Sequence, residues 1–511
     1  MKKRILAVLL LSGILSAVLT GCGGGSEEKS PAAQTPARAE TNEITVGIAQ
    51  DLDDSLDPHI TVAAGTKEVM FNVFEGLMKP TSTGDLIPAV ADRYEVSEDK
   101  LTYTFTLREG VQFHNGNAVT AEDVVYSISR CADTTDGTPL VEAFSIVERV
   151  EALDDKTVAV TITEPSNEFI SFMTTAILPA GYDRQDTAPV GTGPFKFVSR
   201  VAQDSIVLEK FDAYWGIPAH LDRVTYKIIE DAEGLLMGLQ SGALDIVSHL
   251  STTQVAQLGQ EFNIVEGTMN LVQALYLNHN VKPFDDIRVR QALCYAVDRQ
   301  QILDIAFDGY GKIINSSMYP AFGKYFMPEM NDYYTVNVEK AKSLLAEAGY
   351  PNGFEMSITV PSNYQPHIDT AQVIVEQLKA VGITATINLV EWESWVNDTY
   401  VGRQFETTVI GFDATTMTAR ALLERWTSTY GKNMINYNNA EYDDLFAQAM
   451  ACYDDAEQTA LYKEMQKNLT VNAANVYIQD MADLVAVRAG LEGLEFYPIY
   501  VMDLSTVRYT K

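Results

Sequence analysis

The chain is poor in the residues that most enzyme chemistry uses. Of its four cysteines, only Cys131, Cys294 and Cys452 remain beyond Cys22. They are far apart, odd in number and form no C-x-x-C, which excludes a disulfide framework and a thiol redox pair. Cys294, in the run Ala292-Leu293-Cys294-Tyr295-Ala296, reads as a small core residue, because nothing near it supplies a base or a positive field. The six histidines are His59, His114, His220, His249, His279 and His367. None are paired at i,i+4, and none stand beside an acid in a metal-binding helix pattern. There is no G-x-S-x-G, no phosphate loop and no G-x-G-x-x-G, so no catalytic residue, metal or cofactor is expected. Positive charge is also scarce: 37 Lys and Arg against 69 Asp and Glu leave a net charge of −32. Such a chain repels nucleic acid and anionic lipid headgroups. Acidic pairs such as Asp53-Asp54, Asp154-Asp155 and Asp285-Asp286 are then common by composition, and paired-carboxylate catalysis does not follow from them. Beyond residue 19 no apolar run is long enough to cross a bilayer.

What is present begins at the N-terminus. Lys2, Lys3 and Arg4 precede an apolar run from Ile5 to Leu19, too short for a comfortable span and built like a secretory signal. The closing quartet Leu19-Thr20-Gly21-Cys22 resembles the lipobox of bacterial lipoproteins. The resemblance implies cleavage before Cys22, acylation of that residue, and a mature protein anchored on the extracytoplasmic face of a membrane. Two or more acyl chains hold firmly where one is marginal. Residues 22–41 read as a flexible tether: Gly23-Gly24-Gly25 and then Ser, Pro, Ala and charges, with no aromatic, Val, Ile or Leu.

Roughly 490 mature residues suggest about three domains. Order is expected from Glu43-Ile44-Thr45-Val46. Leu101, Tyr103, Phe105 and Leu107 alternate with threonines, the period-2 pattern of a half-buried strand; Val158, Val160 and Ile162 repeat it. Between them a helix over Ala121–Arg130 has Thr120 as N-cap and Asp123 in its first turn. Strands follow at Phe195–Val198, Ser205–Lys210 and Val224–Glu230. Helix Glu233–Ser241 and strand Leu244–Val247 come next, an order that points to a parallel crossover. The second half repeats this logic. Asp285–Leu303 is helical; Asn337 caps a helix that Gly349 stops; strand Phe354–Val360, helix Ile368–Val381, Gly382 and strand Ile383–Leu389 follow. A strand near Thr407–Gly411, helices Ala440–Ala451 and Ala456–Val471, and strand Asn475–Gln479 complete the α/β pattern.

Three longer segments are more specific. One is Leu107-Arg108-Glu109-Gly110-Val111-Gln112-Phe113-His114-Asn115-Gly116, running on through Val119 to Ser127. Another is Gly191-Thr192-Gly193-Pro194-Phe195-Lys196-Phe197, followed by Tyr214-Trp215-Gly216. The third is Leu277-Asn278 with Lys282-Pro283-Phe284-Asp285-Asp286-Ile287-Arg288-Val289-Arg290-Gln291-Ala292-Leu293. In order and spacing, from about Ile44 to the C-terminus, they resemble the solute-binding lipoproteins of peptide-type ABC importers, the dipeptide, oligopeptide and nickel-binding family. Arg288, Arg290, Tyr214 and Trp215 read as folding residues, with Asp285 as a helix cap.

The resemblance implies a two-lobed clamp of the periplasmic-binding-protein type II kind, with a β-rich domain inserted in the first lobe. Lobe one would comprise 42–80, 190–277 and 475–511, the insert 81–189, and lobe two 278–474. A solute is enclosed as the lobes close, and the loaded monomer docks on an ABC permease without making or breaking a bond. In the family's dipeptide binders a Trp-led loop carries an aspartate for the peptide ammonium. The matching stretch here is Val409-Ile410-Gly411-Phe412-Asp413-Ala414-Thr415-Thr416. Phe412 replaces the usual tryptophan, Thr415 falls at the aspartate position, Asp413 lies two residues away, and there is no Asp-Pro. Asp413 is thus either an ammonium anchor or a turn residue. Arg420 is either a carboxylate clamp or a solvated helix charge. Asn363, Tyr364, Trp392 and Trp395 follow strands at the expected cleft and could flank a ligand, with at least one tryptophan in the core. Short peptides are the expected cargo; a metal chelate, opine or sugar, a purely sensory role, and a lipid-anchored hydrolase stay open.

Overall fold

The computed structural model describes residues 42–510 apart from 54, 62, 134–138 and 415–417. The signal and tether, with Cys22, and the candidate Thr415 lie outside the described residues.

Three main sheets organise the chain. The first has seven strands in the order Phe262–Thr268, Ala482–Arg488, Ile246–Val247, Glu43–Ile48, Arg223–Ile228, Ser205–Lys210 and Phe195–Val201. Glu43–Ile48 is parallel to both Arg223–Ile228 and Ile246–Val247. The expected crossover connects those two neighbours through helix Ala232–Gln240, whose N-terminus is capped by Asp231 accepting from the Gly234 amide at 2.7 Å. Ile44, Val46, Val224 and Tyr226 form the core beneath this sheet.

The second sheet has six strands: Lys312–Ile313, Asn475–Asp480, Leu271–Leu277, Thr407–Asp413, Glu355–Pro361 and Thr384–Val390. Its last two are parallel and joined by helix Gln365–Leu378, after which Gly382 takes the left-handed conformation (φ 82°) that ends the turn. The expected long helix over 285–303 is two, Ile287–Ala296 and Arg299–Ala306, because the Asp298 carboxylate accepts from the Gln301 amide and starts a new helix. The cap of the first is Asp286, not Asp285: Asp286 accepts from the Arg288 amide at 2.8 Å.

A four-stranded antiparallel sheet, ordered Ala91–Val96, Thr102–Leu107, Thr157–Ile162 and Val147–Asp154, forms the third layer. Tyr103, Phe105 and Leu107 face its core, as their alternation requires. Helix Ala121–Ala132 packs on it, with Thr120 and Asp123 forming a reciprocal capping box. This core also recruits Leu77 and Met78 from before residue 81.

Gly191 and Gly193 mark where this layer meets the first lobe. A Cβ on Gly191 would lie 2.1 Å from the Val73 carbonyl oxygen, and one on Gly193 2.6 Å from that of Asn72. Only glycine allows the two backbones so close. Tyr214 and Trp215 sit at the same seam, where both donate to the buried Glu75 carboxylate. Arg290 is structural too: its guanidinium donates to the carbonyls of Phe284, Asp285, Asn472 and Ala473.

The chain passes from the first sheet to the second between Thr268 and Leu271 and returns between Asp480 and Ala482. The expected passages, at 277/278 and 474/475, are each displaced by several residues. Leu271–Leu277 and Asn475–Asp480 pair with each other in the second sheet, and Leu275, Leu277, Val476 and Ile478 fill that lobe's core.

Candidate functional site

Sheet register decides which side chains can share a cleft. Asp480 ends its strand opposite Lys312, Leu271 starts its own opposite Asp413, and Glu355–Pro361 and Thr384–Val390 end at the same edge of the second sheet. That edge is also where the two passages to the first lobe lie. On the first lobe the parallel strands Glu43–Ile48 and Ile246–Val247 end on the same side as the passages, leading to the loop after residue 48 and to His249. The carboxyl ends of parallel strands are the usual place for a ligand in an open α/β sheet.

The second-lobe wall is aromatic. Trp392 stacks on Trp395 with ring centroids 5.3 Å apart and planes 7° from parallel, and Trp395 stacks on Tyr400 at 5.9 Å. Tyr400 touches Phe412, which packs on Tyr276 and Trp426. Tyr364 closes the other end, meeting Trp392 edge-on at 5.3 Å. The ladder is anchored inside and open outside. Trp395 is 2% exposed and donates to Thr408 Oγ1, whereas Trp392 is 43% exposed and Tyr364 39%. Four candidates read singly from the sequence thus form one structure, with Trp395 as its core member.

Asp413 is the last residue of its strand and its carboxylate is exposed. Arg425 lies beside it: the guanidinium sits 4.6 Å over the Phe412 ring and donates to the Asp413 carbonyl at 3.2 Å. Tyr319 is buried close to this pair and feels both Asp480 and Asp413. Beneath the edge, Gln273 Nε2 donates to His367 Nδ1 at 2.8 Å, and burial pushes the His367 pKa down to about 4. Burial raises the Asp480 carboxyl to about 8, although it accepts from the Leu271 amide across the passage.

The first-lobe wall holds a cluster that the sequence does not announce. Burial opposes a charge on His249, but Asp483, 3.0 Å from Nδ1, and Glu68, 3.7 Å from Nε2, outweigh it and hold its pKa well above the usual histidine value. The imidazole stacks on Tyr500 at 5.0 Å and hydrogen-bonds its hydroxyl. The backbone is left-handed here (φ 59°), a costly conformation for histidine. Tyr364 of the opposite wall is among the groups that raise the Tyr500 phenol pKa, after burial, Glu68 and Asp483.

Arg420 stands apart from this group. It pairs with Glu424 on its own helical turn at 2.7 Å and faces the insert, while Arg425 on the same segment faces Asp413. Asn363 is exposed at the rim. Among the described residues, no cluster of His, Cys, Asp and Glu could hold a metal ion, and no helix is long and apolar enough to cross a membrane.

Comparison with known proteins places this architecture. Residues 85–434 match the family model described as bacterial extracellular solute-binding proteins, family 5. The chain is 29% identical to heme-binding protein A of Haemophilus influenzae over 494 residues, covering 88% of this chain and 89% of that protein. It is 29% identical over 482 residues to the glutathione-binding protein GsiB of Escherichia coli O1:K1, covering 90% of each. It superposes with a TM-score of 0.73 and 26% identity on the periplasmic binding protein DppA of Helicobacter pylori in complex with the peptide STSA, covering 92% of this chain and 98% of that one. The fold is that of the type II periplasmic binding proteins, and the two-lobed clamp expected above is present. An extracytoplasmic location and a binding rather than enzymatic role come with that family. The chain belongs to the family 5 extracellular solute-binding proteins, which capture a solute for an ABC importer.

Proposed function

We propose that this protein captures short peptides between its two lobes and delivers them to an ABC permease, tethered to the membrane through an acylated Cys22 and acting as a monomer. The observation that carries the cargo is the pairing of an exposed Asp413 carboxylate with an aromatic ladder whose outer members, Trp392 and Tyr364, are open at one shared edge. A carboxylate in a closing cleft suits an ammonium, with a charge-assisted bond that strengthens as water leaves. Flat rings beside it suit an apolar side chain. Fixed polar groups at the rim, such as Asn363, can serve the peptide backbone. The peptide bound by the Helicobacter DppA and the glutathione in the name of GsiB support this reading. Lobe one, insert and lobe two would be the moving parts, with the passages at residues 269–270 and 481 as hinges.

The test is to purify residues 42–511 from cells, denature the protein, and identify the released small molecules by mass spectrometry. A ladder of short peptides is the expected result. A single flat compound such as a porphyrin would keep the transport role and overturn the peptide reading, because the open face of Trp392 accepts any planar group. Cys22→Ser, expressed in full, should release the protein from the membrane fraction; retention there overturns the anchor.

A further inference from the structure

Besides the two backbone passages, the lobes touch at a third place. The insert is fixed to the first lobe by the close backbone approach of Gly76 to Met173, by a hydrogen bond between the His114 ring and the Gly193 carbonyl, and by Arg108 stacked over Trp215. Its far end rests on the second lobe. There Asn167 Nδ2 donates to the carbonyls of Cys452 and Tyr453, and Lys100 Nζ lies 5.1 Å over the Tyr453 ring. The centre is Glu168, whose buried carboxylate accepts from the Tyr462 hydroxyl at 2.6 Å and lies near the Arg420 backbone. Cavities of about 650 Å³ and about 320 Å³ flank it, and Asn167, Glu168, Thr418 and Gln458 line both. The contact is thus a narrow strut between two hollows. Any rotation of the lobes about the passages must shear it.

We propose that Glu168 is a positioning residue that latches the insert to the second lobe, so that protonation of its carboxyl sets how readily the lobes separate. A carboxylate taken out of water is costly unless compensated. The groups facing Glu168 do not fully compensate it. Tyr462 donates, and the Arg420 backbone and guanidinium favour the charge, but that guanidinium is shared with Glu424, which opposes it, and Lys324 across the smaller cavity is paired with Asp455. Burial therefore dominates and raises the Glu168 pKa. A carboxyl whose pKa is higher in the latched form than when free in water favours latching at low pH. That preference fades as pH rises through the latched value.

The experiment is small-angle scattering on the ligand-free mature protein, after exhaustive dialysis, from about pH 5 to about pH 9, a range wide enough to cross a raised carboxyl pKa. The wild-type radius of gyration should rise with pH. Glu168→Gln keeps a neutral acceptor for Tyr462 and should hold the low-pH radius throughout, while Tyr462→Phe should show the larger radius at every pH. A cooperative thermal melt for each variant separates opening from unfolding. A wild-type radius that is flat with pH, or a Glu168→Gln curve that follows the wild type, overturns the proposal. Should Glu168→Gln not fold, a Tyr462→Phe radius equal to that of the wild type at low pH overturns it equally. None of these outcomes depends on which solute is bound.

Discussion

Trp392 offers the sharpest test of the cleft. Its ring is the outermost of the ladder, 43% exposed, stacked on Trp395 at 5.3 Å and touched at its edge by Tyr364. Trp392→Ala removes two ring–ring contacts, each contributing about 0.5–1.5 kcal/mol. More than half of the residue is buried, and with both contacts gone the fold should weaken by about 1–3 kcal/mol. Binding by the variant that remains folded should weaken as well. A tryptophan that becomes fully buried on complex formation commonly costs about 2 kcal/mol or more when truncated, roughly thirtyfold in Kd. Trp392→Phe keeps a flat face and should recover most of that loss. The assay is titration calorimetry with the tightest peptide recovered from the protein, beside thermal melts of each variant. Fluorescence gives an internal control, because Trp395 and Trp426 are buried and Trp392 is the most open of the four tryptophans. A ligand-induced emission change should vanish in Trp392→Ala. A folded Trp392→Ala protein that binds within about twofold of wild type, a difference below about 0.5 kcal/mol, would refute the placement of the site on this ladder.

Three further outcomes follow from the same geometry. Asp413→Ala should weaken peptides with a free amine by roughly tenfold or more, the scale of one lost charge-assisted bond, and leave N-acetylated peptides unaffected; equal affinities by calorimetry count against the ammonium anchor. Gly191→Ala should lower the melting temperature sharply, since its Cβ would sit 2.1 Å from the Val73 carbonyl oxygen and overpacking typically costs about 1–3 kcal/mol; an unchanged melt would mean that the seam can relax. His249 has a raised folded pKa, so its stabilising contribution is complete below the unfolded value of about 6.5 and is lost as pH rises through the folded value. The melting temperature of wild type minus that of His249→Ala should therefore shrink with rising pH above that point, and a constant difference would show that the imidazole is not charged.

Much of the architecture was written in local pattern. Tyr103, Phe105 and Leu107 alternate with threonines because one face of their strand must be buried, and they are buried. Thr120 and Asp123, and likewise Asn337, announced helix starts because their side chains satisfy amides that an isolated helix end leaves open. The family resemblance, carried by segments such as Gly191-Thr192-Gly193-Pro194, reflects backbone contacts that tolerate only particular residues. These signals act over a few residues, so a linear reading can find them.

Only the tertiary structure could decide which sheet a strand joins. Leu271–Leu277 is equally apolar in either lobe, and pairing with Asn475–Asp480, some two hundred residues away, assigned it to the second. The same distance hid His249, whose partner Asp483 lies 234 residues on, and Glu168, whose partner Tyr462 lies 294 residues on. Asp413 and the aromatic residues were visible as types, but their union in one ladder and the separation of Arg420 from them depend on strand register. Hydrophobic period and capping are properties of a segment and survive in the sequence. Electrostatic and cleft environments are properties of residues brought together by folding, and no local pattern encodes them.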